Sequence, residues 1–252
     1  MNNLTVAIMA AGEGKRMNSN IPKILHNFNG IPMLIRILLE VNKINPQNII
    51  IITGKYDLLI KKTIKDYFDS VSNINIYNTL IFIQQLEPNG TAGAIKCTLE
   101  QYSENEDVLI LNGDMPLISS RLIQNFIKEK SNAKLLVSQL DNPYGYGRIL
   151  YDENNKFIGI KEQKDCNEKE KLINIVNVGI YLFNSNILKK YIPLIDNNNV
   201  QNEYYLTDIV KIIRTNSDEE INTYSVDEEL KYQINGVNTQ EELRLLEEQY
   251  KN

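Results

Sequence analysis

The chain is poor in the residues that would build a stapled, zinc-bound or membrane-spanning protein. Two cysteines, Cys97 and Cys166, occur in 252 residues, too few for a disulfide framework, and this usage points to a reducing compartment, the cytoplasm. One histidine, His26, excludes His-rich zinc sites and argues against a Ser-His-Asp relay. No segment approaches the ~20 apolar residues of a membrane span. Leu4–Ala11 follows polar Asn2 and Asn3 and runs into charged residues, unlike a signal peptide. Basic side chains are not in excess: 27 Lys and Arg stand against 32 Asp and Glu, a formal charge of −5. That balance argues against a nucleic-acid coat or a polybasic membrane patch, because both need a basic excess. What is present is a chain 42% apolar and 23% charged. A chain of this length buries roughly 70–75% of its unfolded surface and needs no metal or disulfide to hold a core. A soluble enzyme or small-molecule binder is expected.

To about residue 140, short apolar runs alternate with amphipathic stretches. Strands are expected at Leu4–Met9, Ile49–Thr53, Ile81–Ile83, Val108–Leu111 and Leu135–Gln139, and helices at Met33–Val41, Leu58–Phe68, Gly93–Tyr102 and Ser119–Lys130. The first helix places Leu34, Ile37, Leu38 and Val41 at i, i+3, i+4 and i+7, and Ser119 stands as a cap. This alternation means βαβ units and a mostly parallel sheet covered on both faces. Beyond residue 140, Asn142–Gly147 is turn chemistry, and Ile149–Tyr151 and Phe157–Lys161 read as a hairpin. Asn174–Phe183 alternates like a strand; Ile187–Tyr191, Leu206–Arg214 and Gln240–Tyr250 read as helices. The expected organisation is one α/β domain, with a nucleotide-binding half over 1–140, a hairpin-rich half over 141–239, and a C-terminal helix over 240–252.

Ala10–Met17, directly after the first strand, is not a P-loop, since the G-x-x-x-x-G-K-[ST] spacing is absent, and not a dinucleotide fingerprint, because Met17 stands where the third glycine belongs. Gly12 and Gly14 nevertheless free the backbone to approach a ligand, and its N–H groups suit phosphate oxygens. Lys15, Arg16 and Lys23 add cations. A solvated glycine turn accounts for the same spacing equally well. Asp107–Pro116 ends a hydrophobic strand in Asn112-Gly113-Asp114, which puts a carboxylate at the carboxyl edge of the sheet, where open α/β folds bind ligands. Mg²⁺ commonly takes one or two carboxylates plus substrate phosphates there, although Asn-Gly-Asp is also a plain turn. Tyr144–Arg148 suits either a sugar or a hairpin loop. Glu162, Asn177 and Asn238 are by themselves edge or turn residues.

Together these segments resemble one family. They are Met9-Ala-Ala-Gly-Glu-Gly-Lys-Arg-Met17, Ile21-Pro-Lys-Ile-Leu-His26, Asn89-Gly-Thr-Ala-Gly-Ala94, Asn112-Gly-Asp-Met-Pro-Leu-Ile118, Tyr144-Gly-Tyr-Gly-Arg-Ile149, Gly159-Ile-Lys-Glu-Gln-Lys-Asp165, Asn177-Val-Gly-Ile-Tyr181, Glu203-Tyr-Tyr-Leu-Thr-Asp-Ile209 and Gly236-Val-Asn238. In this order, along almost the whole chain, they look like the uridylyltransferase domain of bacterial bifunctional N-acetylglucosamine-1-phosphate uridylyltransferase. The resemblance implies a Rossmann-like nucleotidyltransferase fold, with a mixed, mostly parallel sheet covered by helices and a hairpin-rich sugar-binding half. It implies transfer of UMP from UTP to N-acetylglucosamine 1-phosphate, with Mg²⁺ as cofactor and no nucleic-acid or membrane partner. By the same resemblance Ala11, Gly12, Gly14, Gln85, Gly90 and Thr91 would hold the nucleotide, and Arg16 and Lys23 the triphosphate. Asp114 and Asn238 would hold the metal; Gly147, Glu162 and Asn177 would grip the amino sugar.

The chemistry suits that residue set. A sugar phosphate is already an anionic nucleophile, so the reaction needs positioning and charge neutralisation rather than a histidine or serine relay. Departures from the family are Glu13 where lysine is usual, Lys15 for threonine or serine, Asn112 for an aromatic residue, and Pro88 in the uracil loop. Pro88 leaves Gln84 and Gln85 competing for the base. No hexapeptide repeats follow, so acetyl-CoA chemistry and trimerisation through an acetyltransferase domain are not expected. The rivals are the same chemistry on another pair, such as dTTP or UTP with glucose 1-phosphate, and a nucleotide-sugar-binding module without turnover.

Overall fold

A computed structural model describes residues 3–71 and 74–250. The chain starts with β1 (Leu4–Ala10), in which every residue but Met9 is buried. A short ribbon, β2 (Asn27–Phe28) and β3 (Ile31–Pro32), leads into α1 (Met33–Lys43). Then follow β4 (Asn48–Thr53), α2 (Asp57–Ser70), α3 (Ile74–Asn78), β5 (Leu80–Gln84), α4 (Thr91–Lys96), β6 (Asp107–Asn112), α5 (Ser120–Ile127) and β7 (Ala133–Gln139). The second half holds β8 (Gly147–Tyr151), β9 (Phe157–Lys161), β10 (Ile175–Asn184), α6 (Ser185–Tyr191), α7 (Ile209–Asn216), β11 (Asn222–Ser225) and α8 (Gln240–Gln249). Of the helix expected over 240–252, residues 251–252 lie outside the described residues.

Among the described residues, the nine strands other than β2 and β3 form one mixed sheet in the order β11-β7-β10-β6-β1-β4-β5, with β8 joined to β10 and β9. Strands β5, β4, β1 and β6 run parallel. Alternate residues of these central strands supply two cores, as a sheet covered on both faces requires. Val6, Ile8, Ile49, Ile51, Leu109 and Leu111 pack against α1, α2 and α5. Ala7, Ile50, Ile52, Val108 and Ile110 pack against α4, α6 and α7. Each of the valine, leucine and isoleucine side chains contributes about 1.5–3 kcal/mol by leaving water.

β10 is the strand that makes room for a site. Tyr181–Asn184 pair antiparallel with β6, whereas Val176 and Asn177 pair with β8 instead. The change of partner coincides with an irregularity between Asn177 and Tyr181, where Gly179 takes φ +83°. That φ is one side chains rarely adopt, and a Cβ on Gly179 would also push against the Asn112 amide nitrogen at 2.5 Å, so glycine is favoured there. β10 thus parts from β6 at the carboxyl end of the parallel strands.

Some elements differ from expectation. The helix expected over Gly93–Tyr102 is α4 followed by a separate 3-10 turn, Leu99–Gln101. Thr98 breaks it: its hydroxyl donates to the Ile95 carbonyl and pairs with the Tyr102 hydroxyl, competing with the backbone ladder. The helix expected over Leu206–Arg214 begins as a 3-10 turn, Leu206–Asp208, whose first N–H, that of Leu206, has no acceptor within the helix and donates to the Thr91 hydroxyl. Neither β11 nor the β2–β3 ribbon was expected; β11 is four polar residues that become a strand only by pairing with β7. Ser119 does cap α5, accepting from Leu122 N–H. Among the described residues no helix is long and apolar enough to cross a membrane.

Candidate active site

The loop leaving β1 turns back on itself at Gly14. This residue has φ +64°, and a Cβ on it would lie 2.5 Å from the Lys23 Cβ, so Gly14 lets the loop rest on Lys23. Gly12 faces open space. Glu13 lies 3.6 Å from the Lys15 ammonium, so the acidic departure is answered by the neighbouring basic one. Arg16 Nη2 donates to Asn238 Oδ1 at 2.9 Å. Lys23 Nζ donates to Asp114 Oδ2 at 2.5 Å and to Asn238 Oδ1 at 2.9 Å. Four residues from four segments therefore meet at one point, half-screened from water: the Lys23 and Asp114 side chains are 15% and 20% exposed.

Helix α8 sets the position of Asn238. Thr239 caps it, accepting from Glu242 N–H, and the Glu242 carboxylate accepts from Asn238 N–H at 2.6 Å. Gln240 donates to the Met17 carbonyl, joining α8 to the loop that carries Arg16. Beneath these bonds Met17, Phe28, Val237, Leu243 and Leu246 form a small apolar cluster. Val237 N–H donates to the Asp114 carbonyl at 2.9 Å, so Asp114 and Asn238 are tied through backbone as well.

At the other side of β1, Gln85 is only 7% exposed. Its Nε2 donates to Asn89 Oδ1 at 3.0 Å and to the Gly90 carbonyl at 3.1 Å. Both amide protons are thus committed and Oε1 is left to accept. Gln84 donates instead to the Gly54 carbonyl and does not line the cavity that Gln85 lines. Gly90, at φ +114°, would place a Cβ 2.5 Å from the Tyr204 carbonyl oxygen. That close approach is stitched: Tyr204 N–H donates to Asn89 O, and Ala92 N–H to Tyr204 O, each at 2.8 Å. Thr91 Oγ1 accepts from Leu206 N–H at 2.9 Å.

The hairpin half brings Gly147, Glu162 and Asn177 together. A Cβ on Gly147 would lie 2.9 Å from Ile160, 3.5 Å from Glu162 Oε1 and 3.6 Å from the Asn177 Cβ. Thr207 donates to Glu162 Oε1 at 2.9 Å. Burial nevertheless pushes the Glu162 carboxyl above its usual range, with Asp208 and Asp165 adding to the rise and Thr207 opposing it. The loop before Gly147 is held by Gln163, whose Oε1 accepts from Gly145 N–H at 3.1 Å and from Arg148 Nη2 at 2.7 Å. Arg148 is fully buried and also donates to the Tyr146 carbonyl. Burial, then the nearby Asp114 carboxylate, pushes the Tyr146 hydroxyl up. Sequence reasoning did not single out Thr207, Gln163, Tyr146 or Glu242. The first three lay inside quoted motifs, but no local pattern marks which residue of a motif faces a cavity, as Thr207 and Tyr146 do, or braces the loop beside it, as Gln163 does.

Two adjoining cavities result. One, of about 410 Å³, is lined by Gly147, Glu162, Asn177 and Asn238; the other, of about 520 Å³, by Ala11, Gly12, Gly14, Lys23, Gln85 and Gly90. Both share Met9, Arg16, Thr91, Asn112 and Asp114. Asn112, the departure from an aromatic residue, and Asp114 thus stand on the wall common to the two, while Pro88 lines only the second. Chemically, the arrangement offers two chambers that meet at an arginine and a carboxylate, with the Lys23 ammonium reaching that carboxylate from the second chamber.

The chain belongs to the MobA-like NTP transferase domain family, whose model matches residues 6–165. It is a nucleotidyltransferase. Its relatives narrow the comparison. A protein of Acanthamoeba polyphaga mimivirus named "Probable UDP-N-acetylglucosamine pyrophosphorylase" is 42% identical over 97% of this chain and 95% of its own length. The bifunctional protein GlmU of a Nitratiruptor species is 39% identical over 83% of this chain and 46% of its own length. The chain spans about half the length of such bifunctional relatives. A crystal structure of UDP-glucose pyrophosphorylase with UDP-glucose superposes with a TM-score of 0.76 over 99% of this chain and 98% of that one, at 15% identity, a likeness of fold.

Proposed function

We propose that the protein is a sugar-1-phosphate uridylyltransferase that makes UDP-N-acetylglucosamine and pyrophosphate from UTP and N-acetylglucosamine 1-phosphate in the cytoplasm. The observation that carries this reading is the junction of the two cavities at Arg16 and Asp114. A transfer between two phosphates needs its cations where two anionic substrates meet. The mimivirus relative's name supports the choice of nucleotide and sugar.

UTP occupies the larger chamber. Gln85 Oε1 accepts from the uracil N3–H, since both of its own amide protons are already used. The backbone at Ala11, Gly12 and Gly14 and the loop at Gly90 and Thr91 close on the nucleotide. The sugar phosphate lies in the smaller chamber, against Gly147, Glu162 and Asn177. An oxygen of its phosphate forms the new bond to the α-phosphorus of UTP, and the bond to pyrophosphate breaks with its electron pair leaving on pyrophosphate. No general base is needed, because the nucleophile carries its own charge. Arg16 and Lys23 hold the triphosphate and neutralise charge as it moves to the leaving group.

Asp114 and Asn238 fit a magnesium site. Their oxygens are hard donors, and they already share a single cation, the Lys23 ammonium. Bound there with substrate phosphates, Mg²⁺ would supply further charge neutralisation.

The test is pyrophosphate release over a panel of UTP, dTTP and CTP against N-acetylglucosamine 1-phosphate and glucose 1-phosphate. UTP with the acetylated sugar is expected to turn over fastest. Preference for another pair would replace the substrates and keep the chemistry. Tight UDP-sugar binding with no release from any pair would replace catalysis with a binding function.

A further inference from the structure

Tyr181 sits on β10 four residues past Asn177, and β10 does something there that a regular strand cannot. Residues i and i+4 of a strand stand about 13 Å apart, at ~3.3 Å per residue. Here the Asn177 Nδ2 donates to the Tyr181 hydroxyl at 2.7 Å. The irregularity around Gly179 folds the strand enough for the two side chains to meet. Asn177 Oδ1 meanwhile accepts from Gly179 N–H at 3.2 Å. The orientation of this amide is forced by chemistry: a backbone N–H can only donate, so it must face the carbonyl oxygen, which leaves Nδ2 for Tyr181. The tyrosine is rigid in turn. It is buried, and its ring stacks on Phe183 with centroids 6.0 Å apart and planes at 18°. Both Asn177 and Tyr181 line the smaller cavity, as does Glu162.

We infer that Tyr181 is the positioning residue for Asn177, locking its amide so that the one uncommitted Nδ2 proton is presented to an acceptor oxygen of the sugar 1-phosphate. This rests on the proposed reading of the smaller chamber as the sugar site. It also divides the recognition: Asn177 donates to an acceptor on the sugar, and the Glu162 carboxylate accepts from an O–H or N–H. A sugar with an acetamido group carries both kinds of group.

Tyr181→Phe keeps the ring and its stacking and removes only the hydroxyl. In the full chain it is expected to raise KM for N-acetylglucosamine 1-phosphate about tenfold, with kcat and KM for UTP within about twofold of wild type, the cost of one lost buried hydrogen bond. Added to Asn177→Ala it should have almost no further effect on that KM, because it acts through the asparagine. Calorimetric titration with UDP-N-acetylglucosamine gives the same comparison without turnover. An unchanged sugar KM and unchanged affinity for the UDP-sugar would overturn the inference alone. So would equal weakening of both substrates with a lower melting temperature, or full additivity with Asn177→Ala. Wild-type protein that binds the UDP-sugar yet releases no pyrophosphate would overturn the catalytic reading, and the titration would still judge Tyr181. Wild-type protein that binds no nucleotide sugar or sugar phosphate would overturn both.

Discussion

Lys23 and Asp114, from positions 91 apart in the chain, meet at 2.5 Å, and Asn238 accepts from the same ammonium. The arrangement holds a carboxylate and an amide oxygen around one cation at the point where both chambers open. Asp114→Asn keeps the shape and removes the charge. If the metal supplies several kcal/mol of transition-state stabilisation, loss of about 4 of them slows turnover roughly 10³-fold, at ~1.4 kcal/mol per decade. Pyrophosphate release over a Mg²⁺ titration, with thermal unfolding as the check on folding, measures this. A turn-forming role would leave activity nearly intact, so more than about a tenth of wild-type kcat at moderate Mg²⁺ rules the metal role out.

Gln85 gives a prediction about the base. With both amide protons donated inside the protein, its free oxygen favours a pyrimidine that carries a ring N–H, which uracil has and cytosine lacks. Gln85→Leu should raise KM for UTP by about tenfold or more, in line with ~1–3 kcal/mol for an unpaired buried group, and should narrow the preference for UTP over CTP. A KM for UTP that stays put would remove Gln85 from the base site.

Gly90→Ala tests the stitch between the base loop and the Tyr204 segment. The new methyl would meet the Tyr204 backbone at 2.5 Å, at a φ of +114° that side chains avoid. Strain of about 1–3 kcal/mol is expected, seen as a lower melting temperature together with weaker UTP binding. Gly12→Ala, at an open position, is the contrast and should leave the melting temperature unchanged.

The pH dependence follows from Glu162. Its folded-state pKa is raised above the ordinary 4.5, chiefly by burial. The folded protein therefore holds that proton more tightly than the unfolded chain does. Its contribution to stability is complete below the ordinary value and is lost as pH rises through the raised one. Glu162→Gln can still accept from Thr207 and never ionises. It should melt higher than wild type near pH 8, by about 2–4 °C for each ~1 kcal/mol of penalty removed, with the gap closing near pH 4. A gap independent of pH would mean that ionisation is not its cause.

Substrate kinetics test the same side chain differently. Glu162→Ala should raise KM for the sugar phosphate at least tenfold, on the basis of ~1–3 kcal/mol per unpaired polar group, while UTP affinity barely moves. Equal weakening of both substrates would count against its placement at the sugar.

Much of this protein is written locally. Strand β1 was legible as a short continuous apolar run, helix α1 by apolar residues that recur every three or four positions, and the Ser119 cap because an N-cap is a bond to a neighbour three positions on. The βαβ order, the lack of a relay histidine and the motifs carrying Arg16, Lys23, Asp114, Asn177 and Asn238 are likewise properties of the chain as written. Tertiary structure decided the rest, because those features depend on partners far away in sequence. β11 is a strand only because the edge of β7 is free to pair with it. Gln84 and Gln85 are indistinguishable as neighbours; the pairing of Thr53 with Gln84, and the bond from Gln85 N–H to the Thr53 carbonyl, send one aside to Gly54 and bury the other in the loop. Asn177 and Tyr181 look too far apart on a strand to touch until Gly179 bends it. Composition and periodicity set which segments would be strands and helices, but which oxygens share a cation depended on loops closing over 91 and 215 residues, and only the packed sheet holds those ends together.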